Sequence, residues 1–62
     1  MDYRLIFLTP AGHLADSMSF RAPDENAAIE RARAEVEAER HMELWTGGRR
    51  IMRWPTERQL GA

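Results

Sequence analysis

The side chains that could carry chemistry are spread along this 62-residue chain and do not form a catalytic pattern. The two histidines, His13 and His41, lie far apart, and because the chain has no cysteine a zinc site would need carboxylates to complete it. The two serines, Ser17 and Ser19, alternate with apolar residues and lack the turn sequence of a nucleophile elbow. We therefore predict no metal site, no cofactor and no enzymatic activity.

Phosphate-loop and carboxylate chemistry are also poorly supported. Gly47-Gly48 lacks the further glycines, the lysine and the hydroxyl residue of a phosphate-binding loop. Residues 24–43 hold seven acidic residues and three arginines, a net charge of −4, and most of these carboxylates fall on a predicted helix that faces water. Residues 44–62 hold four arginines and one glutamate, a net charge of +3. The sequence therefore predicts an acidic element and a basic one in a chain whose net charge is −1.

The basic segment also contains the aromatic residues that could form a binding surface. Residues 42–55, MELWTGGRRIMRWP, hold both tryptophans and three of the arginines. Tryptophan, methionine and arginine are enriched at protein interfaces. Aromatic and basic side chains on a sheet can also stack nucleic-acid bases and contact phosphates. The segment therefore indicates binding of either a protein or a single-stranded nucleic acid.

Two strands are predicted to precede this segment. Residues 3–8 form a short apolar and aromatic run, and residues 15–21 alternate polar and apolar side chains. The turn-forming sequence TPAGH joins them into a hairpin. Pairing Leu5 with Met18, which leaves a four-residue loop, places the aromatic side chains of this hairpin on one side of the sheet.

A helix and a second hairpin follow. Asp24 after Pro23 is a good N-cap, and the helix has a narrow stripe of small apolar residues. Gly47-Gly48 suits a tight turn between two further strands. We therefore predict an α+β fold, a single ββαββ domain over residues 1–55 with one helix on one face of a four-stranded sheet, and a flexible tail over residues 56–62. The predicted strand order is the β-grasp-like 2-1-4-3, with an all-antiparallel 2-1-3-4 order as the alternative.

A two-residue turn at Gly47-Gly48 would determine which side chains share each face. It pairs Leu44 with Ile51, and it places the guanidinium of Arg50 beside the indole of Trp45. The predicted core consists of Tyr3, Leu5, Phe7, Met18, Phe20, Ile29, Val36, Leu44 and Ile51. The opposite face would then expose a candidate partner interface formed by Ile6, Leu8, Trp45, Arg50, Met52 and Trp54.

The size and composition favour self-association. A 62-residue domain is close to the lower limit for an independent core, and without cysteines or metals oligomerisation is the remaining aid to stability. The predicted function is therefore a protein-interaction or assembly module that forms a homodimer through the helix-free face. Another protein partner, a monomer with shielded tryptophans and single-stranded nucleic-acid binding are the alternatives. With no run of about 20 apolar residues and no signal-like start, we expect a cytoplasmic protein without membrane contact.

The chain resembles a group of short alphaproteobacterial proteins of unknown function. The similarity rests on YRLIF near the start, DENAAIERA at the helix start and ELWTGGRR in the second hairpin. The shared features are an aromatic first strand, a D-x-x-A-A helix start and an E-L-W-x-G-x-R hairpin. The resemblance implies the same strand and helix arrangement and a bacterial intracellular setting, and it implies no activity or cofactor.

Overall fold

A computed structural model of the protein describes residues 1–36 and 40–55. The elements are β1 (Asp2–Leu8), β2 (Leu14–Arg21), α1 (Glu25–Arg33), β3 (His41–Thr46) and β4 (Arg49–Trp54). The four strands form one antiparallel sheet, and α1 is the one helix in the described ranges. The α+β class and the ββαββ element order are confirmed, while the predicted tail lies outside the described residues.

The strand order is β2-β1-β3-β4, so the all-antiparallel alternative is confirmed and the predicted 2-1-4-3 order is wrong. The central strands are β1 and β3, which pair Leu5 with Leu44 and Phe7 with Met42. All four of these side chains are buried. The arginine-rich β4 lies at the edge instead, where its guanidinium groups reach water without the cost of burying a charge.

The helix α1 begins where the sequence predicts. Asp24 has an extended backbone, and its Oδ1 accepts a hydrogen bond from the backbone N–H of Ala27 at 2.8 Å. Ala28 and Ala32 are fully buried, whereas Ile29 is half-buried. Because the buried positions are alanines, the helix backbone can lie close to the sheet. This packing buries little apolar area from the helix, so the core depends mainly on strand residues.

The first hairpin has the predicted register as far as Phe7, and the predicted four-residue loop is wrong, because five residues (9–13) lie between Leu8 and Leu14. Leu5 pairs with Met18 and Tyr3 pairs with Phe20, and a β-bulge follows Phe7 near the loop. The rings of Tyr3 and Phe20 stack with their centroids 5.9 Å apart. Of the predicted core residues, Tyr3, Leu5, Phe7 and Leu44 are buried, and the other five pack against them half-buried: Met18, Phe20, Ile29, Val36 and Ile51.

The second hairpin departs from the predicted register after two residue pairs. Its turn pairs Trp45 with Arg50 as expected, and a β-bulge then leaves Ile51 without a partner. Beyond the bulge, Leu44 pairs with Met52 rather than with Ile51. One extra residue reverses the alternation of every following side chain. The remainder of β4 therefore presents to the helix the side chains that the sequence predicts on the other face.

Two predicted interface residues move into the core as a result. Trp54 pairs with Met42 and is 3% exposed, and Met52 is half-buried against the core. Their predicted place on the helix-free face is wrong. Placing Trp54 on the helix side of the sheet removes one of the two largest apolar side chains of the chain from water, which stabilises a domain of this size. The bulge also turns Arg53 to the helix-free face, opposite Glu43.

Candidate functional site

The candidate site is the side of the sheet opposite α1, here called the open face. Strand alternation and the pairing registers assign each side chain to it, because residues directly opposite one another in a ladder share a face. Nothing within residues 1–36 and 40–55 covers this side of the sheet. The open face consists of Asp2, Arg4, Ile6 and Leu8 of β1; Leu14, Ser17, Ser19 and Arg21 of β2; His41, Glu43 and Trp45 of β3; and Arg50 and Arg53 of β4.

Four of the six predicted interface residues lie on the open face. Ile6, Leu8 and Trp45 are half-buried there, and Arg50 is exposed at its edge. The apolar part of the face is therefore smaller than predicted, and it is concentrated on the two central strands. The sequence-based prediction also missed Arg53. The one signal for it is the spacing of apolar residues in RRIMRW, which does not follow the strict alternation of a regular strand and is compatible with a bulge.

Glu43 organises the centre of the open face. Its Oε1 accepts a hydrogen bond from the indole Nε1 of Trp45 at 3.0 Å, and its Oε2 accepts one from Nη1 of Arg50 at 3.3 Å. The Glu43 side chain is 20% exposed, so both contacts are partly shielded from water. Bonding at both carboxylate oxygens restricts the Trp45 ring and the Arg50 guanidinium to one arrangement.

The predicted stacking of Arg50 on Trp45 is not among the cation–π contacts of the described residues. Those contacts place Arg31 over the Phe20 ring and Arg40 over the Phe7 ring, at 5.7 and 4.1 Å from the ring centroids. Trp45 and Arg50 are instead joined through Glu43. This arrangement leaves the faces of the Trp45 ring without a stacked guanidinium from within the described part of the chain.

A groove of about 660 Å³ lies beside Trp45, towards the β3–β4 turn. Its lining includes Arg4, Ser19, Trp45, Gly47 and Gly48. Both glycines have positive φ angles, and no heavy atom lies within 4 Å of where a Cβ would stand on either of them. The turn therefore leaves the groove open at this end. A backbone amide at a glycine turn can also be approached closely by a ligand.

The turn is fastened to the neighbouring strand. The hydroxyl of Thr46 donates a hydrogen bond to the backbone carbonyl of Asp2 at 2.8 Å. The Asp2 carboxylate accepts from Nε of Arg21 at 3.1 Å, although both side chains are more than four-fifths exposed. The first of these contacts holds the end of the groove in place, while the second, being exposed, contributes little.

The open face carries a net positive charge in a chain that is slightly negative. It has four arginines against Asp2 and Glu43, which gives +2, whereas the whole chain has a net charge of −1. Arg4 and Arg53 make no hydrogen bond or ion pair with any residue that the structure describes. Two cations on this face are thus available to an anionic ligand.

Other kinds of site receive no support from the described residues. No group of three histidine, cysteine, aspartate or glutamate side chains in them could hold a metal ion. No helix among them is long and apolar enough to cross a bilayer. Both statements concern residues 1–36 and 40–55 alone.

The chain matches no protein-family model, no curated protein and no solved structure. The resemblance to the short alphaproteobacterial proteins therefore stays a prediction. Any functional conclusion has to be drawn from the residues of the open face and their geometry.

Proposed function

We propose that this protein is a small binding module that takes single-stranded nucleic acid on its open face. The observation that carries the proposal is a row of side chains across the sheet, in which Trp45 pairs with Arg4 on one side and with Arg50 on the other. Neighbouring strands lie about 4.8 Å apart, so the two arginine backbones are roughly 10 Å apart with the indole between them. Sheets that bind single strands combine aromatic platforms with cations in this way.

Trp45 supplies the stacking surface. Because its indole N–H is bonded to Glu43, little side-chain freedom is left to lose when a base stacks on the ring. The adjoining groove of about 660 Å³ falls within the usual size of small-ligand sites, which is about 300–1,000 Å³. A base on Trp45 would therefore have its sugar and phosphate directed along a groove of sufficient size.

The unpaired arginines supply the phosphate contacts. Arg4 lines the groove, and Arg53 lies in the next row of the face, opposite Glu43. A guanidinium can donate two parallel hydrogen bonds to a phosphate, and each contact releases counterions from the nucleic acid. The carboxylates of Asp24, Glu25 and Glu30 lie at the cap and on α1, on the other side of the sheet, where they would not oppose a phosphate on the open face.

Self-association through the open face, the function favoured by the sequence, stays a prediction that the geometry supports less well. The face has lost Met52 and Trp54 to the core, and it keeps four apolar side chains: Ile6, Leu8, Leu14 and Trp45. Two copies stacked face to face would also bring together two surfaces that each carry +2, which is unfavourable in a contact with little apolar area. An anionic polymer would instead neutralise the positive charges of the open face.

The test is a titration with a fluorescent oligothymidylate of about 10 nucleotides, a length within the range bound by single-strand modules. We expect binding that weakens as salt is raised from about 50 to 200 mM, with a log–log slope near −1.4 for two phosphate contacts. Arg4→Gln and Arg53→Gln should each make that slope shallower by about 0.7. Trp45→Ala should weaken binding at every salt concentration, because the base would lose its stacking partner.

Arg33→Gln is the matched control, because Arg33 is an exposed arginine of α1 that pairs with Glu30. It should leave both the affinity and the salt slope unchanged. Polyglutamate serves as a polymer with charge and no bases. Absence of oligonucleotide binding at low salt, equal losses in the Arg33→Gln and Arg4→Gln variants, or equally tight binding of polyglutamate would overturn the proposal.

A further inference from the structure

The outer edge of β2 presents backbone hydrogen-bonding groups that no other strand in the described ranges pairs, because β2 is the end strand of the sheet. Ala22 and Met1 exchange both of their backbone hydrogen bonds, at 3.0 and 3.1 Å. Hydrogen-bonded pairs alternate along an antiparallel ladder, so Phe20 and Met18 also bond to β1. The N–H and C=O groups of the residues between them, Ser17, Ser19 and Arg21, therefore point away from the sheet.

The other edge of the sheet is protected against pairing. The six-residue strand β4 carries a bulge and three arginines, and Pro55 follows it directly. These are the features by which sheet edges avoid another strand. The eight-residue β2 has no proline or lysine and its side chains are mostly exposed, and its own bulge, at Ala15, lies beside the hairpin loop and leaves residues 16–21 regular. Its one covered group is the N–H of Ser17, which donates to its neighbour Asp16 at 2.8 Å.

We propose that a second copy of this chain pairs with the β2 edge, antiparallel, about a two-fold axis at Met18. For both helices to lie on one side of the joined sheet, residues opposite one another across the β2–β2 contact must lie on the same face. A two-fold axis that passes through a residue meets this condition, and an axis that passes between two residues does not. An axis at Met18 pairs residues 16–20, in the regular part of the strand beyond the bulge at Ala15. It places Ser17 opposite the partner's Ser19, so that the outward groups of both can exchange hydrogen bonds.

Charge complementarity selects this register over its neighbours. With the axis at Met18, Asp16 lies opposite the partner's Phe20, and within each chain the guanidinium of Arg31 lies 5.7 Å from the Phe20 ring centroid. When Ser17 pairs with the partner, Asp16 is released from the Ser17 N–H and can meet the guanidinium of the partner's Arg31. Within its own chain Arg31 donates from Nη1 to Glu35 at 3.4 Å, so the contact with Asp16 would use its other N–H groups. The two-fold symmetry of the dimer would produce this Asp16–Arg31 contact twice. Axes at Ser17 or Ser19 would instead place Asp16 opposite Met18 or Ala22.

The dimer would be one continuous eight-stranded sheet. Because opposed residues share a face, both helices lie on one side and both open faces lie on the other. Phe20, half-buried at the margin of each core, would gain cover from the second copy. The association leaves Arg4 and Trp45 untouched, but Ser19 of the paired edge also lines the groove, so dimerisation has to be measured without nucleic acid.

The first test compares Ser19→Pro with Ser19→Ala by sedimentation at several protein concentrations, without nucleic acid. The N–H of Ser19 points outward, so proline removes a group that the dimer needs and that the β1–β2 ladder does not use. The wild type and Ser19→Ala should dimerise with rising concentration, whereas Ser19→Pro should stay monomeric with an unchanged circular dichroism spectrum. A wild type that is monomeric at high micromolar concentration, or a dimeric Ser19→Pro, would overturn the proposal.

The second test determines the register of the β2–β2 pairing, and it does not require the fold to tolerate a proline. Met18 would face its symmetry mate in a pair without hydrogen bonds, where Cα atoms lie about 4.5 Å apart, within the range for a disulfide. Since the chain has no cysteine, Met18→Cys should form a covalent dimer under mild oxidation. Asp16→Cys is the control, because its symmetry mate would lie four residues away. Cross-linking of Asp16→Cys in preference to Met18→Cys would overturn the register.

Discussion

The two sides of the sheet use neighbouring residues of the same strands for different purposes. Trp54 lies on the helix side of the sheet with 3% of its surface exposed, whereas Trp45 of the same hairpin is half-buried on the open face with its indole N–H bonded to Glu43. The helix side holds the buried core, which contains no polar residue among those described. The open side is a mixture of arginines, hydroxyls and a few apolar groups.

One bulge therefore separates the residues that stabilise the domain from those of its binding surface. Without the extra residue at Ile51, Trp54 would have joined Trp45 on the open face and Arg53 would have faced the core. With it, one tryptophan completes the core and the other keeps a polar setting. Substitutions on the helix side should therefore change stability, and substitutions on the open side should change binding.

The largest expected effect is that of Phe7→Ala. Phe7 is 6% exposed in a central strand, with the Arg40 guanidinium 4.1 Å from its ring centroid. Its truncation should cost about 4–5 kcal/mol, which is comparable with the total of about 3–9 kcal/mol expected for a chain of this length. Urea denaturation followed by circular dichroism measures this loss. The matched control is Ile6→Ala on the open face, for which we expect about 1 kcal/mol.

If Ile6→Ala were as destabilising as Phe7→Ala, the division between the two sides of the sheet would not hold. A Phe7→Ala protein that remained well folded would place that ring outside the core.

A smaller effect is expected for Trp54→Ala, because Trp54 lies in an edge strand. We expect a loss of about 3–4 kcal/mol, again from urea denaturation. Trp45→Ala should cost about 1 kcal/mol while weakening the binding of oligothymidylate. The pair tests the bulge directly, since the register without it predicts similar effects for both tryptophans. Equal losses of stability in the two variants would argue against the bulge at Ile51.

The parts of this fold that could be predicted from sequence are those specified by local chemistry. Asp24 caps the helix because its carboxylate can reach the N–H of Ala27, a contact within four residues. The register of the first hairpin follows from apolar alternation on both strands. The strand order could not be decided, because both orders allow an acceptable crossover. The three arginines of β4 were the available signal, since a central strand would have buried them.

Part of the candidate site could also be predicted, because that part too is specified by local chemistry. Gly47-Gly48 gives a two-residue turn, so the opposition of Trp45 and Arg50 was predicted correctly from the turn alone. Beyond that pair the register depends on tertiary packing, because the bulge is stabilised by the burial of Trp54 rather than by any residue in the turn. Because of this bulge, Met52 leaves the open face and Arg53 joins it.

The smallest expected effect is that of the helix cap, and it provides another test of whether stability and binding belong to opposite sides of the sheet. Asp24→Ala removes the acceptor of the Ala27 N–H, and such a loss costs about 1 kcal/mol. Asp24→Asn, which keeps a capping oxygen, should be nearly neutral. Because α1 covers only the helix side, Asp24→Ala should lower the urea midpoint and leave oligothymidylate affinity under native conditions unchanged. A change in affinity without a change in the urea midpoint would show that α1 contributes to binding, and the assignment of binding to the open face would then be wrong.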